Sequence, residues 1–358
     1  MDKWSKEKAW KWYNNRDWIC GYNGLPSLCV NKIALWQKYN HKAIFKELDE
    51  EFALANKTGF NAIRISLELF VYYKEHDSYM NHIEEYISLA FKHGIRVMFI
   101  FGNDCNVPKS RFKMPKLGKQ RVDWGYHSGV KNSPHTGDFK EMGYQLTDDE
   151  EFEKLFYKMV KEIVDKYKDD DRILMWNVWN EVGGSFRGCK SIKYIKETCK
   201  IIREVDSFHP ITIDTWKAID EKIPATEEEK IACELSDIIS FHHYGSFRLM
   251  KKYCEDLKRE YGRPVINTEW LNRIFKNNVV DIIPYFYENK IGSFLWGLKQ
   301  GYSQTYEPWG GIYIDYMNGR RDLDIKLWQH DLYHFNNCPY DFDEIECIQK
   351  YSALSKKH

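Results

Sequence analysis

The stretch Leu174-Met175-Trp176-Asn177-Val178-Trp179-Asn180-Glu181-Val182-Gly183 decides how this chain is read. Its first part is apolar enough for a strand buried on both faces, as in a parallel sheet. It then ends on Asn180-Glu181 and breaks at Gly183-Gly184. A carboxylate at the carboxyl end of such a strand has little structural use, and in barrels and open α/β sheets that end is where active sites form. The pattern recurs at Pro264-Val265-Ile266-Asn267-Thr268-Glu269-Trp270: apolar strand, polar tip, Glu, Trp. The two glutamates stand 88 positions apart and suggest a pair of catalytic carboxylates.

Working outward, strand and helix signals alternate, which is the mark of an α/β chain. Strands are expected at 18–22, 60–67, 95–101, 173–178, 210–214, 237–241, 265–267 and 292–296. Helical spacing of apolar residues covers 43–57, 79–93, 147–168, 191–205, 227–235, 248–261 and 279–289, with closing helices at 324–335 and 341–353. Thr147 and Glu150 fit a capping box. Eight strands interleaved with helices predict a single (β/α)8 barrel over 1–358, with no linker and no second domain. A polar insertion at about 102–147, after strand three, is too long for an ordinary loop and is expected to wall off one end of a cleft.

Composition narrows the function. Lys+Arg and Asp+Glu both number 53, so there is no basic excess for a nucleic acid. The aromatic share is 16%, with 13 Trp and 24 Tyr; most of these rings must fill the core, and the rest suit stacking on sugar faces. The first residues show no apolar signal region, no run approaches the roughly 18 apolar residues of a membrane span, and nine cysteines form no CxxC pair. These features favour a cytoplasmic protein with reduced thiols and no membrane partner.

The polar strand tips carry the chemistry. Arg64 lies near the end of strand two, Asn180 and Glu181 follow strand four, and His242 and Tyr244 follow strand six; Glu269 follows strand seven and Trp296 ends strand eight. A barrel gathers these tips on one face. Adjacent residues of a strand point to opposite faces, so only one of His242 and His243 enters the cleft. Two carboxyl groups flanking one bond suit glycoside hydrolysis, one as acid/base and one as nucleophile. The nucleophile needs an Arg and a Tyr hydroxyl nearby to stay ionised. The acid needs an apolar setting that raises its pKa, for which Trp176 and Trp179 are the nearest candidates. Trp216, Trp270 and Trp309 near the tips, and Trp36 and Tyr39 after strand one, are further candidates for contact with sugar. His127 and His135 in the insertion read as surface residues.

Asn180-Glu181, His242-x-Tyr244, Glu269 and Trp296, with Arg64 upstream, resemble clan A of the glycoside hydrolases and especially family 5. The resemblance covers about 18–296, and the loop from Trp296 to Trp309 resembles bacterial barrels labelled cellulase-like or xylanase-like. It implies a retaining β-glycosidase with no metal or organic cofactor, acting on a β-linked oligosaccharide or glycoside. Glu181 would be the acid/base and Glu269 the nucleophile. Asn180 would bind the 2-hydroxyl, Tyr244 and Arg64 would support the nucleophile, His242 would complete the acid/base network, and Trp296 would floor the site. After strand three, where the family usually has a His, this chain has Gly102-Asn103-Asp104-Cys105. Asp104 is therefore either a solvated loop residue or, like Asn103, a ligand for a sugar hydroxyl.

Two other classes compete. A metal-dependent barrel hydrolase or isomerase would use His242 with Asp or Glu ligands, but strand one ends in Gly21-Tyr22-Asn23 and not in a metal-binding HxH. A non-catalytic carbohydrate-binding barrel would not need the intact carboxylate pair. Small imported substrates and a long blocking loop favour exo over endo action.

Overall fold

The computed structural model describes residues 3–136 and 139–356. Its strands are β1 (Cys20–Asn23), β2 (Ala62–Ser66), β3 (Arg96–Asn103), β4 (Ile173–Asn180), β5 (Ile211–Thr212), β6 (Asp214–Thr215), β7 (Ile239–His242), β8 (Val265–Trp270) and β9 (Ile291–Trp296). They form one sheet in the order β5-β4-β3-β2-β1-β9-β8-β7-β6, with parallel pairing throughout. β5 pairs with β4 and β6 with β7, and only Ile213 separates them, so the two are halves of one stave. The stave breaks because the Ile213 amide donates to Ser236 Oγ (3.0 Å) and leaves the ladder. The result is a closed eight-stave barrel. Its staves are buried because helices cover the outside; β4, the opening stretch of sequence, is buried at all eight positions.

Eleven α-helices are described: α1 (Lys6–Asn14), α2 (Lys32–Trp36), α3 (His41–Thr58), α4 (Leu69–Lys92), α5 (Glu150–Tyr167), α6 (Ile192–Val205), α7 (Glu227–Leu235), α8 (Phe247–Tyr261), α9 (Val279–Glu288), α10 (Gly310–Met317) and α11 (Phe342–Ser355). α5 shows why they pack: Phe156, Met159, Val160, Ile163, Val164 and Tyr167 recur at helical spacing and are all buried. Among the described residues no helix is long and apolar enough to cross a membrane.

Two ends of the barrel differ. At the amino-terminal end of the staves, Met98, Met175, Ile266 and Phe294 fill the interior, joined by Ala9 and Tyr13 of α1. A Cβ on Gly21 would meet the Phe294 ring at 2.4 Å, so only glycine lets that ring cross the interior. α1 thus closes the floor. Toward the carboxyl ends the inward side chains become polar, and the insertion covers part of that rim.

The insertion is rooted by Arg187, whose Nε donates to Asp104 Oδ1 (2.8 Å) and whose Nη1 donates to Gly143 O and Asp148 Oδ2 (both 2.8 Å). From this root it first reaches the loop after β1, where Gln37 makes two hydrogen bonds with Gly118 (2.7 and 2.8 Å). It then reaches the loop after β9. Gln304 accepts from Gly125 N (2.7 Å) and donates to Asp123 O (2.9 Å), and Gly310 N donates to His135 O (2.9 Å). Since β3, β2, β1 and β9 are consecutive staves, the insertion is a strap over that side of the rim.

Some local expectations are corrected. Residues 324–335 are not helical: Asp331 has φ +55°, and Arg273 takes the carbonyls of His330 (2.7 Å) and Asp331 (2.9 Å). The expected Thr147/Glu150 box is replaced by Asp148, whose carboxylate accepts from Gln145 N (3.1 Å). α1, α2 and α10 lie where no helix was expected, and the helix foreseen at 79–93 begins ten residues earlier, at Leu69. All nine cysteines are free thiols.

Candidate active site

Arg64, from β2, is the hub. Its Nη1 donates to Glu269 Oε1 and Asn23 Oδ1 (both 2.8 Å), its Nη2 to Asn180 Oδ1 and Asp214 Oδ2 (both 2.6 Å), and its Nε to Asn177 Oδ1 (3.0 Å). The guanidinium is buried and every N–H direction is spoken for. Such a charge is tolerable inside a protein only when its partners are this complete. Asp214 is itself held by Ser240 Oγ and Thr268 Oγ1, which both donate to Oδ1 at 2.7 Å.

Thr268 and Glu269 are neighbours in sequence, yet both side chains meet this interior network. Regular alternation forbids that. The register shifts between Asn267 and Trp270 where β8 pairs with β9, and between Phe241 and His242 where β7 pairs with β8. These bulges re-aim Glu269 and His242 into the barrel mouth. Glu181 stands just past β4 with φ +48°, a left-handed conformation that costs a residue with a Cβ roughly 1 kcal/mol or more. The Gly183 amide, two residues on, donates to Asp104 Oδ2 (2.7 Å) and helps hold the turn in that shape.

The carboxylates have distinct partners. Tyr244 donates its hydroxyl to Glu269 Oε2 (2.8 Å), so both oxygens of Glu269 accept from a donor. Glu181 Oε1 lies 2.8 Å from His242 Nδ1, and the Cys105 thiol donates to Oε2 (2.6 Å). His243 turns away and packs on Tyr253. Asn180 Nδ2 donates to Asn103 Oδ1 (2.9 Å). One ligand atom each from Glu181, His242 and Glu269 lie within 4.8 Å of one another, a set that could hold a metal ion. The donors already on both oxygens of Glu269, one of them cationic, make the cluster better suited to handling protons.

Burial pushes the Glu181 carboxyl upward, but the bond and charge of His242 and the Cys105 thiol outweigh it and hold Glu181 below its ordinary value. Glu269 is shifted up by burial, opposed by His242 and Arg64 and reinforced by the charge of Glu181. His242 is lowered by burial and raised by Glu269, Glu181 and Asp214, with the net direction up. The proton on the Glu181–His242 bond is therefore drawn toward the imidazole. This corrects the expectation of an apolar pocket raising Glu181. Trp176 and Trp179 do not face it: both are fully buried, Trp176 bonded to Asp206 Oδ2 (2.7 Å) and Trp179 stacked on Tyr194.

Arg64, Asn180, Glu181, His242, Tyr244 and Glu269 meet in one network. Trp296 is half-buried at the rim beside His330, with ring centroids 6.4 Å apart. Asp104 does not reach the cleft. It is wholly buried and bound to Arg187, so it is neither a solvated residue nor a ligand for a sugar. Trp36 is buried under α3 and α4 with its Nε1 on Ser66 O (2.9 Å), Tyr39 is exposed on the outside, and Trp270 is buried. Trp216 and Trp309 remain half-buried near the mouth. His127 is buried and His135 half-buried, not surface residues. Sequence reasoning missed Asp214, Asn23 and Cys105. Asp214 carried a signal, as a charge closing the apolar run Ile211-Thr212-Ile213.

Comparison with known proteins follows the same lines. Among curated proteins no sequence match is found. The structure is similar to the endo-β-1,4-mannanase of Thermotoga petrophila (TM-score 0.57, 14% identity, 96% of this chain and 78% of that one). It is also similar to the endo-1,4-β-mannanase of Rhizomucor miehei (TM-score 0.56, 14% identity, 95% of both chains). A third likeness is the β-1,4-D-mannanase of Cryptopygus antarcticus (TM-score 0.58, 11% identity, 94% of this chain and 90% of that one). At these identities the likeness is one of fold. The sequence model for cellulase (glycosyl hydrolase family 5) matches residues 29–330, and the chain belongs to that family.

Proposed function

We propose that the protein is a retaining β-glycosidase in which Glu269 attacks the anomeric carbon and Glu181 serves as acid and then base. The observation that carries this reading is the spacing of the pair, with carboxylate oxygens within 4.8 Å. An inverting enzyme keeps its carboxyl groups roughly 6.5–9.5 Å apart to admit a water, whereas a retaining one holds them at roughly 5–5.5 Å. Arg64 and Tyr244 donate to both oxygens of Glu269 and stabilise it as an anion while positive charge builds on the sugar. The leaving oxygen takes its proton from Glu181, which is supplied across the 2.8 Å bond by His242. As Glu269 becomes an ester its charge is lost, and with it the main support for the proton on His242. Water then enters, gives a proton to Glu181 and releases the sugar with its configuration kept. Asn180, fixed between Arg64 and Asn103, is placed to read the 2-hydroxyl.

The solved structures similar to this one include proteins named as mannanases, so β-mannosides belong in the first substrate screen. Glu269→Ala is expected to abolish turnover of an aryl β-glycoside, with azide restoring part of it and giving a product of inverted configuration. Glu181→Ala is expected to keep activity on substrates with good leaving groups, which need little protonation. Wild-type rates in Glu269→Ala would sink the assignment.

A further inference from the structure

We propose that the strap closes the glycone side of the site into a pocket for one sugar, with His135 and Trp309 as its end wall, so that the enzyme removes single sugars from non-reducing ends. The proposal rests on the assignment of Glu269 as nucleophile, because that identifies which side of the site holds the glycone.

The wall begins at the nucleophile's own partner. Tyr244, which donates to Glu269, meets Trp309 edge-on (centroids 5.0 Å, 85°), and the His135 ring stacks on Trp309 (6.3 Å, 15°). The sugar attacked by Glu269 sits beside these rings, with Trp296 at the rim. A second sugar on the same side would have to pass through the strap. That strap is held firmly: besides the bonds to Gln304 and Gly310, His127 joins Glu307 O (2.8 Å) and Trp309 Nε1 (3.2 Å). Gly129 lies against Tyr302 so closely that a Cβ would stand 2.1 Å from its carbonyl oxygen. The carboxylates are poorly exposed, at 16% for the Glu181 side chain and 8% for Glu269.

His135 differs from the histidines around it. His127 and His330 each use both ring nitrogens in hydrogen bonds within the protein. Among the described residues no partner meets either ring nitrogen of His135, although the residue is half-buried. Its neighbour Trp309 also meets Tyr244 and His330, which ties the ring to the rim of the site. A half-buried imidazole whose nitrogens meet no partner among the described residues, at the end of a sugar pocket, is a ligand for hydroxyl groups of the terminal sugar.

The test uses the full-length protein. 4-Nitrophenyl β-mannoside, β-glucoside, β-galactoside and β-xyloside select the sugar, and the β-linked tetrasaccharide of that sugar, reduced at its end, is then digested. Monosaccharide and reduced trisaccharide are expected as the first products. Reduced disaccharide among the first products, or an intact tetrasaccharide, overturns the proposal while leaving the glycosidase reading in place. If no β-glycoside is cleaved, it is the underlying reading that fails. For the wall itself, His135→Ala is expected to raise KM for the chosen aryl glycoside roughly 10-fold, the worth of about one hydrogen bond, with kcat and melting temperature little changed. His135→Gln should recover part of that loss. An unchanged KM in a folded His135→Ala protein removes His135 from the pocket.

Discussion

Cys105 donates its thiol proton to Glu181 Oε2, and such a bond favours the charged carboxylate. Burial, with the nearby charge of Glu181, pushes the thiol well above its ordinary range, so it stays a donor at neutral pH. Cys105→Ala removes a force that lowers Glu181, and the pKa of Glu181 must rise. In the proposed mechanism the Glu181–His242 pair holds the acid's proton, so the alkaline limb of kcat/KM against pH is expected to move to higher pH, while Cys105→Ser restores the donor and the parental profile; a pH series on an aryl glycoside checks both. Neither this thiol nor the Asp104–Arg187 pair was legible in the sequence. Glu181 and Glu269 stood out because each ends an apolar run, a pattern with a physical reason to be rare. Asp104 looked equally available, and nothing local reveals that a guanidinium 83 positions later claims it.

At the scale of elements, the staves and their covering helices were legible from period and apolarity, while the strap was not. Its course depends on polar contacts between distant segments, such as Gln37 with Gly118 and Gln304 with Gly125, which have no periodicity to read. The bulges that turn Glu269 and His242 inward were hidden for a related reason: a one-residue register shift leaves no mark on composition. Arg187 is the element-scale control point, because one buried side chain joins the start of the insertion at Asp104 to its end at Gly143 and Asp148. Arg187→Ala leaves the buried Asp104 without its cation and Asp148 with Lys190 alone (3.0 Å), and is expected to cost about 3–5 kcal/mol of stability. Limited proteolysis should then cut within 105–142 faster than in the parent, and a denaturant titration measures the loss.

For the whole molecule, two buried carboxyls away from the site set a pH dependence. Burial pushes Asp331 up to about 7 from an ordinary 3.8, and Glu51 up to about 7 from 4.5. Each binds a proton more tightly in the folded chain than in the unfolded one. Their contribution to stability is complete below about pH 4 and is lost as pH rises through about 7. Asp331→Asn keeps the shape, and asparagine tolerates the left-handed backbone at this position (φ +55°). The variant is expected to melt at a higher temperature than the parent at pH 8, with a shallower decline between pH 4 and 7, as thermal melts across that range would show.

The floor formed by α1 has a consequence for the order of events in time. With Ala9 and Tyr13 plugging one end of the barrel and the strap spanning part of the other, traffic uses the side of the rim left open. In the proposed mechanism the departing alcohol must clear that doorway before water can come in, and the freed sugar, deepest inside, goes last. That scheme predicts that another alcohol winning the race through the doorway takes the sugar in water's place, and that added free monosaccharide, returning by the same route, competes with the next substrate.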